Sequence, residues 1–140
     1  MSIISECEAS SRALQERFFP SSELIYRYGD QKGLEGFGVH DDRSDEMPDA
    51  IFFDSARNWL LIVDFATHRG LIDEARRDKL DEIFCSVKPE LVYITVYPDR
   101  ASMSKFPEFP AWGSHAWFLH EPGHMMHFNG SRFLGPYASG

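Results

Sequence analysis

The chain has 140 residues, 43% of them hydrophobic and 14% aromatic, enough for one domain with a single real core. No apolar run approaches the roughly 20 residues needed to span a bilayer as a helix. A balance of 14 Lys and Arg against 22 Asp and Glu, net charge −8, counts against non-specific nucleic-acid binding over the whole surface. It leaves room for a local basic strip, or a metal, serving a single cleft.

Residues 1–10 show no basic stretch leading into an apolar one, so no secretory signal is expected. Cys7 and Cys85 form no metal-type cluster. A disulfide between them stays open, and reduced thiols in a cytoplasmic protein are the simpler reading. Residues 2–19 read as a helix, with Ala9, Ala13, Leu14 and Phe18 at loosely helical spacing and Pro20 as its stop. Residues 23–28 read as a strand closed by Gly29-Asp30. The Gly- and charge-rich stretch 31–46 reads as a solvated, acidic loop.

Two apolar runs follow, 50–53 and 59–63, around a polar turn at 54–58. This pattern predicts a β-hairpin with at least one well-buried strand. Asp49 stands just before the first run and Asp64 just after the second. In an antiparallel hairpin the start of one strand lies beside the end of the next, so the two carboxylates are expected to meet at one edge of the sheet. Paired carboxylates repel unless they share a proton or a cation. A hard divalent ion, Mg²⁺ above all, is the natural third party. The plainer alternative is that Asp49 caps a turn after Pro48 and Asp64 merely ends a strand.

Residues 73–85 carry the strongest helical pattern, with Asp73 or its neighbour as N-cap and Ala75, Leu80, Ile83 and Phe84 as the apolar stripe. Residues 91–97 are β-branched and aromatic, a strong strand. A helix separates them from 59–63, which predicts parallel pairing in a βαβ unit. Residues 99–109 read as a loop among Pro98, Pro107 and Pro110, 114–120 as a short strand, and 125–128 as a last apolar piece. No internal repeat or linker divides the chain, so residues 1–140 are expected to form one domain. The expected fold class is α/β, and the element order resembles the core of the PD-(D/E)xK nucleases, which implies a central mixed β-sheet flanked by a helix on each side.

Pro48-Asp49, a hairpin and then Asp64 resemble the PD-(D/E)xK nuclease motif. Further blocks extend the resemblance. They are Leu24-Ile25-Tyr26 with Gly29-Asp30, Met47-Pro48-Asp49 with Asn58-Trp59-Leu60, and Thr67, Gly70 and Arg76. Val92-Tyr93-Ile94-Thr95, Phe106, Trp112-Gly113 and Trp117 come next. The ending His127-Phe128-Asn129-Gly130, then Arg132-Phe133-Leu134-Gly135-Pro136, is the most specific. Together they are similar to the C-terminal catalytic domain of the BsuBI/PstI type II restriction endonucleases, over residues 20–137. The departures are an Asp at 64 where that family has Glu, Leu71 where it has Pro, Ser114-His115 for Thr-Glu, and Gly123 for Asp. The motif's Lys would fall on Ala66. That family also lacks it, so the positive charge has to come from Arg76 or Arg77.

The resemblance implies a restriction-endonuclease-like core and Mg²⁺-dependent hydrolysis of double-stranded DNA, with Mn²⁺ as an alternative ion. It implies Asp49, Asp64 and the backbone carbonyl of Phe65 as metal ligands, with Arg76 offsetting charge on the phosphate. The family's N-terminal recognition half has no counterpart, so the chain is expected to be a catalytic core that works as a homodimer or beside a DNA-recognition partner chain, in the cytoplasm. The rival expectation is a catalytically degenerate subunit or regulator that binds DNA or a partner protein. His124-x-x-His127, with His115 or His120, admits a zinc reading, but packing or a nucleic-acid edge suits His127 better. Trp59, Trp112 and Trp117 are expected in the core or at its rim. Asn129-Gly130 is expected to make a tight turn, and Arg132 to lie on the surface.

Overall fold

The computed structural model describes residues 3–27, 46–106, 108, 110–123 and 125–128, with the backbone alone given for 3–8, 10, 27, 68 and 69. The Gly29-Asp30 turn, most of the loop at 31–46, His124, the Asn129-Gly130 turn and Arg132 lie outside the described residues. The element order is α1 (Ile3–Phe18), β1 (Glu23–Arg27), β2 (Ala50–Asp54), β3 (Trp59–Phe65), α2 (Ala66–Arg69), α3 (Glu74–Ile83), β4 (Glu90–Tyr97), α4 (Arg100–Met103), β5 (His115–Phe118) and β6 (Met125–His127).

Among the described residues the strands make one six-stranded sheet in the order β1-β2-β3-β4-β5-β6. The expected hairpin is β2–β3, antiparallel, with Ala50 opposite Val63 and Asp54 opposite Trp59. Asn58 turns the chain at φ +58, a left-handed conformation that Asn tolerates better than most residues. The β3–β4 pair is parallel, as the intervening helix predicts, and so is β4–β5, while β1–β2 and β5–β6 are antiparallel. The sheet is therefore mixed.

Side chains alternate across the strands and sort the core into two faces. Leu61, Val63, Val92, Ile94 and Trp117 pack with Leu14 of α1 and with Phe19. Ile51, Leu60, Ile62 and Tyr93 face the other way, onto Ile72, Leu80, Ile83 and Phe84 of the α3 segment. Burying each large apolar side chain contributes about 1.5–3 kcal/mol, so a sheet covered on both sides has ample drive to form. Leu71, Tyr97, Ala116 and Phe118 form a smaller cluster with Ala66.

Some boundaries move. The helix expected at 73–85 is α3 alone, because Asp73 sits outside as the N-cap and Phe84 closes the last turn. The loop at 99–109 contains the short α4, nucleated by Asp99, whose side chain accepts from the Ser102 amide. Helix α2 was not expected, since four residues carry no periodicity. The strand at 114–120 shrinks to β5, because the Glu121 amide folds back onto the Phe118 carbonyl. Cys85 is an exposed free thiol.

Candidate active site

The hairpin register sets Asp49 and Asp64 at one end of β2–β3, each one residue beyond the Ala50–Val63 pair. The Asp49 amide donates to the Val63 carbonyl at 3.0 Å. Strand alternation turns the Asp64 side chain to the α3 face, in line with Leu60 and Ile62. Both are buried, Asp49 at 1% exposure and Asp64 at 0%. Buried carboxylates need partners. Asp49 Oδ2 accepts the Phe65 amide at 2.7 Å, which ties its carboxylate to the end of β3.

Asp64 takes its partner from α3. Arg76 Nε donates to Asp64 Oδ2 at 2.8 Å and Nη2 to Oδ1 at 3.4 Å. The same guanidinium donates from Nη1 to the Glu46 carbonyl at 2.7 Å and from Nη2 to the Met47 carbonyl at 3.4 Å. One planar fork thus joins the helix, the end of β3 and the backbone entering β2. Glu46 is held in turn by Lys79 Nζ at 3.0 Å.

The helix is aimed by two polar anchors. Asp73 caps it by accepting the Arg76 amide at 2.8 Å. Thr95, the register partner of Asp64 on β4, accepts the Ile72 amide on Oγ1 at 3.0 Å. Arg77, about 100° further round the helix, points elsewhere and donates from Nη1 to the Trp112 carbonyl at 2.6 Å. Of the two arginines considered from sequence, Arg76 is the one beside the carboxylates. Ala66 begins α2, is buried, and brings no charge to the site.

Among the described residues no group of three or more His, Cys, Asp or Glu could hold a metal. Asp49, Asp64 and nearby backbone carbonyls offer oxygen only, a donor type that would suit Mg²⁺, which is commonly held by one or two carboxylates with water and phosphate making up the rest. It does not fit zinc, which prefers nitrogen and sulfur. Beyond Thr95 on the same strand, the buried Tyr97 hydroxyl is pushed up to about 12 by desolvation and stays neutral at pH 7.

His127 packs, as the sequence favours, and its partner is His115. His127 pairs across β5–β6 with His115, Nδ1 to Nδ1 at 2.8 Å, so one ring donates and the other accepts. The pair shares the face of Trp117, opposite to Asp64. Burial lowers the His127 pKa. Of the tryptophans, Trp117 is core, Trp59 is half-buried under Arg57, and Trp112 is exposed at the rim. Sequence reasoning did not single out Thr95 as part of the site. Its signal was a hydroxyl inside an otherwise apolar strand.

The model of the BsuBI/PstI restriction endonuclease domain matches residues 12–131. The chain belongs to the BsuBI/PstI restriction endonuclease family. It is 33% identical over 129 residues to the type II restriction enzyme BsuBI of Bacillus subtilis, covering 86% of this chain and 41% of that enzyme. It is 27% identical over 108 residues to the type II restriction enzyme AplI of Arthrospira platensis, covering 75% of this chain and 33% of that one. The structure of SdaI restriction endonuclease superposes with a TM-score of 0.79 at 31% identity, over 99% of this chain and 46% of SdaI. This BsuBI/PstI family member thus spans less than half the length of these relatives.

Proposed function

We propose that the chain is the nuclease core of a type II restriction enzyme, a Mg²⁺-dependent endonuclease that hydrolyses phosphodiester bonds of double-stranded DNA, with Mn²⁺ as an alternative ion. The observation that carries this reading is that Asp49 and Asp64, both buried, stand at the same end of the hairpin, with Asp49 Oδ2 accepting the Phe65 amide beside Asp64. The names of the two curated relatives agree with it. Asp49, Asp64 and the Phe65 carbonyl would hold the ion. An extended residue sends its N–H and C=O to the same side, and the Phe65 amide already reaches Asp49. An ion held there would supply charge neutralisation at the phosphate and a lowered pKa for an attacking water.

The chain's own residues do the positioning. The Phe65 amide fixes one carboxylate. Arg76 fixes the other, offsets one of the two negative charges, and is placed to counter charge on a phosphate. The excess of acidic residues predicts weak DNA binding by a single copy. That supports a homodimer, whose two-fold axis would place one site on each DNA strand, or a recognition partner chain. Among the described residues no helix is long and apolar enough to cross a membrane. A DNA substrate and a free, exposed Cys85 fit the cytoplasm.

One observation favours a second reading, a non-catalytic relative that binds DNA or a partner protein. Arg76 engages both oxygens of Asp64. Nicking of supercoiled plasmid separates the two. The nuclease reading expects nicking in Mg²⁺ or Mn²⁺, none in EDTA, and none from Asp49→Asn, which can still accept the Phe65 amide and so keeps the fold. Nicking that survives both EDTA and Asp49→Asn refutes the assignment, and a folded wild type that binds duplex DNA yet stays inert in both metals favours the non-catalytic one.

A further inference from the structure

Three cations stand on α3, and exposure separates them. The side chains of Arg76 and Arg77 are 15% and 18% exposed, and that of Lys79 is 48% exposed. A guanidinium carries five N–H donors. Arg76 uses four of them inside the fold, one from Nε to Asp64 Oδ2 and three from its terminal nitrogens to Asp64 Oδ1 and the Glu46 and Met47 carbonyls. One N–H is left for a substrate. Arg77 is turned to the Trp112 carbonyl and to Asp78. An ammonium carries three N–H donors. Among the described residues Lys79 uses one, to Glu46 Oε1 at 3.0 Å. Two are left, on the most exposed cation of the helix.

Helix phase puts this cation on the Asp49 side of the site. Successive helical residues turn by about 100°, so Arg77 and Lys79 lie on opposite flanks of Arg76. The contacts agree. Arg77 reaches the Trp112 carbonyl before β5, Arg76 reaches Asp64 near the end of β3, and Lys79 reaches Glu46, three residues before Asp49. Glu46 is held by both inner cations, its carbonyl by Arg76 Nη1 at 2.7 Å and its carboxylate by Lys79. Lys79 is therefore one residue removed from the guanidinium on Asp64, on the same helix face. Its ion pair with Glu46 is partly exposed, and exposed pairs are weak, so a phosphate can join Glu46 on the ammonium or displace it. With 14 Lys and Arg against 22 Asp and Glu, the surface as a whole repels DNA, and a phosphate has to be held by single cations that it can reach.

We propose that Lys79 is a phosphate-contacting residue of the candidate site, its ammonium gripping a backbone phosphate of the DNA on the Asp49 side of α3 while Arg76 stays on Asp64. This rests on the nuclease-core reading. The test uses the whole chain, with sheared duplex DNA and Ca²⁺ over a range of salt for affinity and supercoiled plasmid with Mg²⁺ for nicking. One phosphate contact contributes about 0.9 to the slope of log affinity against log salt, and so about eightfold in affinity at roughly 0.1 M salt. Lys79→Met is expected to keep the wild-type melting temperature, lose that increment of slope, bind duplex about eightfold more weakly and raise the KM for nicking with little change in kcat. Lys79→Arg restores slope and affinity. Lys88→Met removes an exposed charge at the other end of the sheet, where Glu90 pairs with Trp59, and is expected to keep the wild-type slope. A wild type that nicks plasmid, with Lys79→Met equal to it in slope and KM, overturns the role of Lys79 and leaves the nuclease reading standing. A Lys88→Met that loses as much as Lys79→Met also overturns that role. A wild type that binds without nicking, with a lower slope for Lys79→Met, supports the phosphate contact and counts against the nuclease reading. A wild type that neither binds nor nicks overturns both.

Discussion

Replacing Arg76 by Ala tests the electrostatics of the site most directly. Asp64 is fully buried and both of its oxygens receive the guanidinium, which is itself only 15% exposed. Removing one partner of a buried ion pair costs roughly 3–5 kcal/mol, because the remaining charge is left uncompensated. The partial exposure of Arg76 places the expected loss near the lower end, about 3 kcal/mol. For a domain of this size each kcal/mol moves the melting temperature by about 3 °C, so the drop is about 10 °C in EDTA. Two controls identify the cause. Asp64→Asn added to Arg76→Ala removes the stranded charge, and the double variant is expected to be more stable than Arg76→Ala alone. On the nuclease reading a divalent ion would compete with the guanidinium for Asp64, so Mg²⁺ is expected to stabilise Arg76→Ala more than wild type. At 100 times its dissociation constant an ion bound only by the folded state adds about 2.7 kcal/mol. Thermal unfolding followed by circular dichroism, with EDTA and with millimolar Mg²⁺, reads all of these. An Arg76→Ala that melts with wild type, or a double variant no better than the single, refutes the reasoning.

Two further perturbations bear on the scaffold. Thr95→Val strands the buried Ile72 amide and is expected to cost about 1–3 kcal/mol in urea unfolding, while Thr95→Ser, which keeps the acceptor, is expected to lie close to wild type. Burial lowers the His127 pKa, so the unfolded chain takes up a proton there more readily than the folded one. Stability from this group is complete above the ordinary histidine range near pH 6.5 and falls as pH drops below it. His127→Gln is expected to flatten the fall in melting temperature between pH 7 and 5.5, and an unchanged slope would remove His127 as its source.

Much of this architecture was legible because the hairpin announces itself. Two apolar runs around Asp54–Asn58 set the register, and the register sets Asp49 and Asp64 at the same end of the hairpin. The parallel β3–β4 pair followed from the helix between them. The choice of Arg76 over Arg77 came from the family resemblance, since the helical pattern by itself left both open. It turns on the phase of α3, which depends on which residue caps it, and the Asp73 cap settles it through one hydrogen bond. Nor could periodicity find α2 or α4, each a single turn. The His115–His127 pair is a contact across strands 12 residues apart, invisible until β6 has a partner.

The order of strands in the sheet is also their order along the chain. Each strand pairs with its neighbours in sequence, and such contacts close short loops at small entropic cost. The candidate site draws on the shortest of them. Asp49 and Asp64 flank one hairpin, and Arg76 arrives 12 residues later on the next helix. The charged cluster therefore belongs to the hairpin–helix unit and does not depend on β5 or β6 for any of its three members. In refolding, the ion pair is expected to form with this unit, ahead of the far edge of the sheet. The rim turn carrying Trp112, which hangs on Phe128 beyond β6, is expected to lock into place last.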